Sequence, residues 1–579
     1  MNWTQVYDPL GAWWLSTLVA ALPVVVLLGL LAVFRVKPHW AALMGAMTAM
    51  VCASAVFGMP WRLSAASLAY GAAFGILKIA WIVIAAVFLY DVTVYTGQFE
   101  IMKASVARIT EDRRLQALLI AFCFGALIEG AAGFGAPVAI AGAFLIGLGF
   151  RPFHAAALNL IANTAPVAWG AIGTPVHTLA AVSGLPEGDL NAMLGRILPI
   201  TALIVPFWLV RAMVGWRETF EVLPAILVVG VSFASMQFVW SNFVDSNLVD
   251  IAGGVVSLVA TTVFLRFWKP KRVWRFAEES VEANNEEANE EAIAASVITQ
   301  GANDTRSTVR VSERRYSRRA IARAWMPFVL LTLFVLLWGL PAIKTAMNRW
   351  TTPAFERGGW EVPTLHGAVT RAAPVVAHPQ PEAAKFDLNW LSATGTGCFL
   401  AALVAGFLLG LAPAEMAKIF WRTMVRMRFA VLAIAFMLGL GFVTRYSGMD
   451  AVMGLAFTRT GVLFPFFGTF LGWLGVALTG SDTSSNALFG GLQRITAEQL
   501  GLNPVLMCAA NSAGGVMGKM VAAQSLVIGC AVTGQEGKEG ELFRAVLKHS
   551  IALLLLVGLI VMMYAYVFPA AIPSGHNYW

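Results

Sequence analysis

Apolar runs of about twenty residues, the length that crosses a hydrocarbon layer as an α-helix, recur along almost the whole chain. In the first half they lie at Ala12–Phe34, Trp40–Met59, Ser67–Val94, Met193–Val214, Phe220–Trp240 and Leu248–Phe267, with two interrupted runs, Leu115–Gly149 and Phe153–Ser183, among them. In the second half they lie at Trp325–Ile343, Asn389–Leu411, Phe429–Val443 and Phe543–Pro569, again with two interrupted runs, Val462–Gln493 and Pro504–Val532. The first run leads straight into others and has no small-residue cleavage site, so it reads as a retained helix. Between the halves, Lys269–Arg323 is basic, then acidic from Glu278 to Glu291, then basic again from Arg306, the composition of a solvated connector. The pattern predicts an all-α polytopic membrane protein of about twelve crossings. Its parts are an N-terminal membrane half (residues 1–267), a charged connector (268–324) and a C-terminal membrane half (325–579).

The interrupted runs carry most of the information. Gly125–Gly135 is glycine-rich with one carboxylate, Glu129, and Gly475–Ser485 is glycine-rich with one carboxylate, Asp482. Backbone leaves the helix at membrane depth only where protein or a cavity surrounds it, so both stretches predict re-entrant hairpins with tips at a binding site. The halves also match at a shift of about 350 residues. Val92-Thr93-Val94-Tyr95-Thr96-Gly97 falls on Val443-Thr444-Arg445-Tyr446-Ser447-Gly448, Gly125, Gly130 and Gly135 on Gly475, Gly480 and Ser485, and Ala162-Asn163-Thr164 on Ala510-Asn511-Ser512. This is the symmetry of repeat-built transporters. Lys103, Arg108, Arg113 and Arg114 follow the Tyr95 span, whereas Lys418, Arg422, Arg426 and Arg428 precede the Tyr446 span. Basic loops stay cytoplasmic, so the two repeats are predicted to be inverted, with two re-entrant hairpins, two broken helices, a cytoplasmic connector and both termini outside.

Composition agrees with the pattern: 58% of residues are hydrophobic and 12% charged, against roughly 25% charged in soluble domains. The net charge of +8 reflects loop Lys and Arg without interleaved aromatics, so nucleic-acid binding is not indicated. The five cysteines all sit in apolar runs with neither zinc nor disulfide spacing, and read as small core residues. No His-Glu-x-x-His, Gly-x-Ser-x-Gly or phosphate-binding loop is present, so an enzyme is not indicated and no cofactor or metal is called for.

Candidate chemistry therefore rests on polar residues inside the breaks. Glu129 and Asp482 are proton-carrier candidates, because a carboxylate at mid-span costs about 2.5–3.5 kcal/mol unless paired, hydrated or protonated; the competing reading is that each caps a hairpin helix. Asn163 and Thr164 before Pro166, and Asn511 and Ser512 before Gly514-Gly515, are what an unwound crossing helix needs to satisfy freed backbone and present N-terminal helix ends to an anion. Ordinary kinks with interhelical hydrogen bonds are the alternative. Ser484, Ser485 and Asn486 add donors beside Asp482. Lys519 either pairs with Asp482 or a substrate carboxylate, or snorkels to the surface. His177 is either a proton-transfer group or a hydrogen-bonded structural residue. Lys78 and Asp91 lie near helix ends and say little.

These residues give the chain a strong likeness to one family. Tyr7-Asp8-Pro9, Thr96-Gly97-Gln98-Phe99, Glu129–Ile140 (EGAAGFGAPVAI), Asn163–Gly170 (NTAPVAWG), Thr479–Phe489 (TGSDTSSNALF), Gly518-Lys519-Met520 and Lys548-His549-Ser550 resemble the bacterial lactate permeases, which include L-lactate and glycolate permeases. The resemblance runs nearly end to end. It implies proton-coupled uptake of small 2-hydroxymonocarboxylates (L-lactate, D-lactate, glycolate) across the bacterial inner membrane. The substrate carboxylate would be held by hairpin-tip and half-helix amides with Asn163, Ser484, Ser485, Asn486, Asn511 and Lys519. Two features depart from it: the charged connector is long, and Ala523 stands where a proline is expected after Gly518-Lys519-Met520. The residues alone also admit sodium coupling, since unwound carbonyls with Ser, Thr and Asn suit Na⁺. A non-transporting sensor of the same acids is a further alternative, and homodimerisation stays open.

Overall fold

The computed structural model describes residues 2–32, 34, 36–133, 136–276, 316–351, 359–376, 378–386, 388–535 and 538–575. The acidic core of the connector, Phe134 and Gly135 lie outside the described residues. The all-α membrane architecture expected from the apolar pattern is present: among the described residues, eleven helices are long and apolar enough to cross a membrane, or twelve if one bent pair counts as a span.

The first half runs α1 (Trp13–Ala32), α2 (Pro38–Ala55), α3 (Trp61–Tyr95), α4 (Arg113–Ala132), α5 (Ala136–Gly147), α6 (Pro152–Ala162), α7 (Gly170–Ser183), α8 (Glu187–Met213), α9 (Leu223–Phe243) and α10 (Val249–Phe267). The second runs α11 (Arg318–Gly339), α12 (Thr394–Leu408), α13 (Pro413–Ser447), α14 (Phe464–Thr479), α15 (Asp482–Leu500), α16 (Pro504–Gly518), α17 (Ala523–Val532) and α18 (Glu539–Tyr566). The order repeats. α3 and α13 are both 35 residues long and each ends at a glycine with positive φ, Gly97 and Gly448. A short helix follows each (Gln98–Ala107 and Met449–Phe457), and then comes a helix that ends in a second such glycine, Gly133 or Gly480. Proline opens both α6 and α16, because a missing N–H is harmless at the first helical position.

Three expectations are corrected. First, Lys418, Arg422, Arg426 and Arg428 are not loop residues but extend α13; their near-i,i+4 spacing lets the helix continue while their long side chains reach outward, and Arg426 pairs with Asp91 at 2.6 Å. Likewise Arg114 is fully buried, held by Asp112 (2.7 Å) and Glu221 (3.1 Å), and fastens the base of α4 to the α8–α9 joint. Second, the turns correspond at Gly133 and Gly480, so Glu129 lies four residues before its turn and Asp482 two residues after its own. The carboxylates therefore occupy opposite arms. Third, only the first broken helix bends by more than 40° among the described residues: α6 and α7 meet at 67°. Asn511 and Ser512 stay inside α16, and the interruption comes later, as a 3₁₀ turn at Lys519–Val521.

Burial sorts the helices. In its apolar window α4 is 100% buried, whereas α1 and α11 are 28% buried and α9 33%. The last three present Leu18, Val25, Leu227, Val231, Val329 and Leu333 outward, as lipid-facing helices do. α14 and α16 pack unusually close: a methyl at Gly472 would stand 1.8 Å from the Asn511 carbonyl and one at Gly514 2.0 Å from that of Thr469. Small residues at such crossings let backbones approach where no water is available to drive association. Outside the spans, β1 (Trp3–Thr4) pairs with β3 (Val369–Arg371), which pairs with β4 (Gln380–Pro381), and β2 (Trp360–Glu361) pairs with β5 (Lys385–Phe386).

Candidate substrate and proton site

The two glycine turns meet. Glu129 and Gly133 from one side, Gly480, Asp482 and Thr483 from the other, line a common cavity with Thr174 of α7 and Lys519. Its volume is about 30 Å³, room for one or two waters.

Glu129 sits in the last turn of α4, where the Gly133 amide closes back on its carbonyl at 3.0 Å. Free carbonyls rather than amides collect at that end of a helix, so Glu129 does not cap α4, the helix that carries it. The side chain is 3% exposed and Oε2 has no hydrogen-bond partner. Across from it α7 is distorted: Ala171, Ile172 and Gly173 have φ of 46°, 58° and 69°. Left-handed backbone costs roughly 1–2 kcal/mol per non-glycine residue, a reservoir of strain at the crossing. The missing side chain of Gly170 lets the Glu129 carboxyl stand against the α7 backbone, since a Cβ there would lie 2.6 Å from Oε1 and displace it.

Asp482 opens α15 but is not its cap. Ser481 Oγ takes the Ser484 amide at 3.3 Å, leaving Asp482 to be held by side chains: Ser512 Oγ of α16 donates to Oδ2 at 2.5 Å, and Asn486 Nδ2, one turn on in α15, reaches it at 3.4 Å. Oδ1 has no partner. Asn486 also donates to the Pro175 carbonyl at 3.2 Å, and Asn511 donates to Asn486 Oδ1 at 3.0 Å, a chain that ties α7, α15 and α16 together. Lys519, 5% exposed, donates from Nζ to the Gly480 carbonyl at 2.6 Å. It therefore points inward at the tip instead of snorkelling.

Other expected residues are placed less centrally. Asn163 ends α6 with its amide buried and turned toward the Glu129 carboxyl. Thr164 returns its hydroxyl to the Ile161 carbonyl (2.7 Å), and Ser485 gives its hydroxyl to Gly472 (3.0 Å), so neither offers it to the cavity. His177 is outside the small cavity altogether. Its ring bridges Asn247 Oδ1 (2.9 Å) and Glu187 Oε2 (3.0 Å) on the wall of a second cavity of about 520 Å³, shared with Lys78, Lys344 and Asp245. Asp245 lies between spans, where burial raises its carboxyl above the ordinary value against the pull of bonds from Leu248 N–H and Trp240 Nε1. Sequence reasoning missed Thr174 and Thr483, whose hydroxyls stand 3.5 Å apart in the small cavity: Thr174 is an isolated Thr in an apolar run, and Thr483 is one of several hydroxyls around Asp482 with nothing in the sequence to single it out. It also missed Asp250, buried beside the first tip.

With this geometry in place, comparison with known proteins decides the family. The L-lactate permease family profile matches residues 16–568. The chain belongs to the L-lactate permease family. Glycolate permease GlcA of Escherichia coli K12 is 44% identical over 99% of this chain and 100% of its own length. The L-lactate permeases of Bacillus subtilis and Escherichia coli K12 are each 42% identical over the same shares. Among solved structures, Neisseria gonorrhoeae MtrF covers 93% of the chain and 97% of its own at 12% identity and a TM-score of 0.45, a likeness too low to carry argument. The permease is thus a multi-pass transporter of the inner membrane, and its small cavity lies where two interrupted segments meet, as a transporter's site should.

Proposed function

We propose that this permease is a proton-coupled symporter of small 2-hydroxymonocarboxylates such as L-lactate, D-lactate and glycolate. The observation that carries the reading is the buried cavity in which one ammonium, Lys519, meets two carboxyl groups, Glu129 and Asp482, from opposite tips. An ionised carboxyl there needs a partner or a proton. Lys519 offsets one of the two carboxylates, and the substrate anion brings in a further negative charge, so a proton arriving on Glu129 with it leaves the charge of the site unchanged by loading. The start of α15 supplies partial positive charge for the substrate carboxylate, while Thr174, Thr483 and Asn486 suit its hydroxyl. A three-carbon acid exceeds the cavity, so the tips must separate to admit it.

The remaining assignments follow this reading. The two halves, residues 1–267 and 325–579, act as inverted repeats around the tips, α9 and α10 being additions to the first. The connector at 268–324 is cytoplasmic and both termini are periplasmic. Each carboxylate-bearing pair, α4–α5 and α14–α15, is a re-entrant hairpin.

Uptake of labelled L-lactate, D-lactate and glycolate into proteoliposomes tests the coupling. A pH gradient, acid outside, is expected to drive accumulation with sodium absent. Accumulation that follows a sodium gradient and ignores pH would replace the proton by Na⁺, and binding without counterflow would favour a sensor.

A further inference from the structure

Asp250 stands in the first turn of α10 with none of its surface exposed, and neither carboxylate oxygen has a hydrogen-bond partner. It is held against the first tip: a Cβ on Gly130, the residue after Glu129, would lie 2.9 Å from Asp250 Cβ. The helices packed on this part of α10 are α4 and α9. α9 carries no ionisable side chain; α4 brings Cys123 and Glu129, its Arg113 and Arg114 lying at the opposite end of the helix from Gly130. No hydrogen bond or ion pair joins Asp250 to a cation among the described residues, and Glu129, next to Gly130, is the carboxyl that α4 places beside it.

A buried carboxylate without cation or donor is strongly disfavoured in its ionised form and keeps its proton instead. Two adjacent carboxyl groups cannot both ionise cheaply, so they share protons. Asp250 also has a place on a route. The residues just before it, Asp245, Ser246 and Asn247, line the larger cavity, and Ser246 packs on the distorted stretch of α7: a Cβ on Gly173 would meet its carbonyl at 2.3 Å.

We propose that Asp250 is a second proton-binding site of the permease, a relay between the larger cavity and Glu129. In the transfer, the tip moves to bring the two carboxyls into hydrogen-bond contact and the Asp250 O–H gives its proton to the Glu129 carboxylate, leaving Asp250 ionised until a proton arrives from the cavity side. Total charge is unchanged in the first step and restored in the second. The inference rests on the proton-coupled reading above and adds a residue to it.

The test uses the full chain in proteoliposomes, wild type beside Asp250→Asn and Asp250→Glu. In Asp250→Asn, exchange of labelled L-lactate across the bilayer stays within about twofold of wild type, while accumulation driven by a pH gradient falls by about a hundredfold, the scale of a lost proton-transfer group. Asp250→Glu restores a measurable part of it. Infrared difference spectra between acid and alkaline pH show a buried, protonated carboxyl band in wild type that Asp250→Asn removes and Asp250→Glu shifts. Wild-type accumulation in Asp250→Asn, or a carboxyl band unaltered by either substitution, overturns the proposal. If Asp250→Asn does not fold, the band in Asp250→Glu decides: a shift supports the site and an unaltered band refutes it. If wild type itself shows no pH-driven accumulation, the proton-coupled reading fails first, and the infrared band still reports whether Asp250 holds a proton.

Discussion

Glu129 and Lys519 carry opposite duties at the residue scale, and their substitutions should fail differently. Glu129→Gln keeps shape and hydrogen-bonding capacity but fixes the neutral state. Exchange of substrate should persist in that variant while accumulation against a gradient disappears. Wild-type accumulation in Glu129→Gln would return the residue to a structural role. Lys519→Met removes a charge-assisted donor worth about 1.5–3 kcal/mol, so KM for L-lactate should rise roughly tenfold to a hundredfold. An unchanged KM would mean that the ammonium serves only the Gly480 carbonyl. Both residues were legible in the sequence because a lone charge inside an apolar run is conspicuous. Asp250 is equally buried but lies two residues inside its predicted span, at Leu248–Phe267, where a charge reads as an ordinary helix end. Thr174 was invisible for another reason, that threonine is tolerated in helices that need no polar partner, and Thr483 was hidden among the neighbouring hydroxyls of Ser481, Ser484 and Ser485.

Glycines decide most at the element scale. Gly514 lies 2.0 Å, measured from a Cβ built on it, from a backbone carbonyl of α14 that cannot swing aside. Gly514→Ala should therefore push α14 and α16 apart, costing about 1–3 kcal/mol as overpacking does, and draw Ser512 away from Asp482. A lowered melting temperature together with impaired transport is expected. Gly29→Ala on α1, where nothing lies within 4 Å, is the control and should leave both unchanged. A Gly514→Ala variant as stable and active as that control would contradict the close crossing. The existence of both breaks was legible from glycine content, but their geometry was not. Sequence alignment put Gly130 opposite Gly480, whereas positive φ puts Gly133 there. A turn's position depends on which glycine can adopt left-handed backbone without a clash, and the sequence offers several. The second crossing helix shows the same limit: Asn511 and Ser512 remain helical while their side chains bond across to α15 and Asp482, and the α-helix gives way only at Lys519.

The whole molecule ties its two ends to one face. β1 at the N-terminus pairs with β3, and Gln5 donates to the Arg445 and Tyr446 carbonyls at the end of α13. Arg445 in turn reaches the Ala181 carbonyl at the end of α7 (3.1 Å). The amide of Gly575, four residues before the end of the chain, bonds to Asp189 near the start of α8 at 3.2 Å. Single cysteines introduced at both termini should therefore react together with a membrane-impermeant thiol reagent from outside the cell, and a split result would contradict the proposed topology. Coupling is also a property of the whole molecule, because one proton moving with one monocarboxylate transfers no net charge. The most direct measurement is L-lactate accumulation in proteoliposomes under a fixed pH gradient while a potassium diffusion potential is varied separately. Accumulation that follows the pH gradient and stays the same at every potential is the predicted result; accumulation set by the potential or by sodium would contradict neutral proton symport at the Glu129–Asp482–Lys519 site.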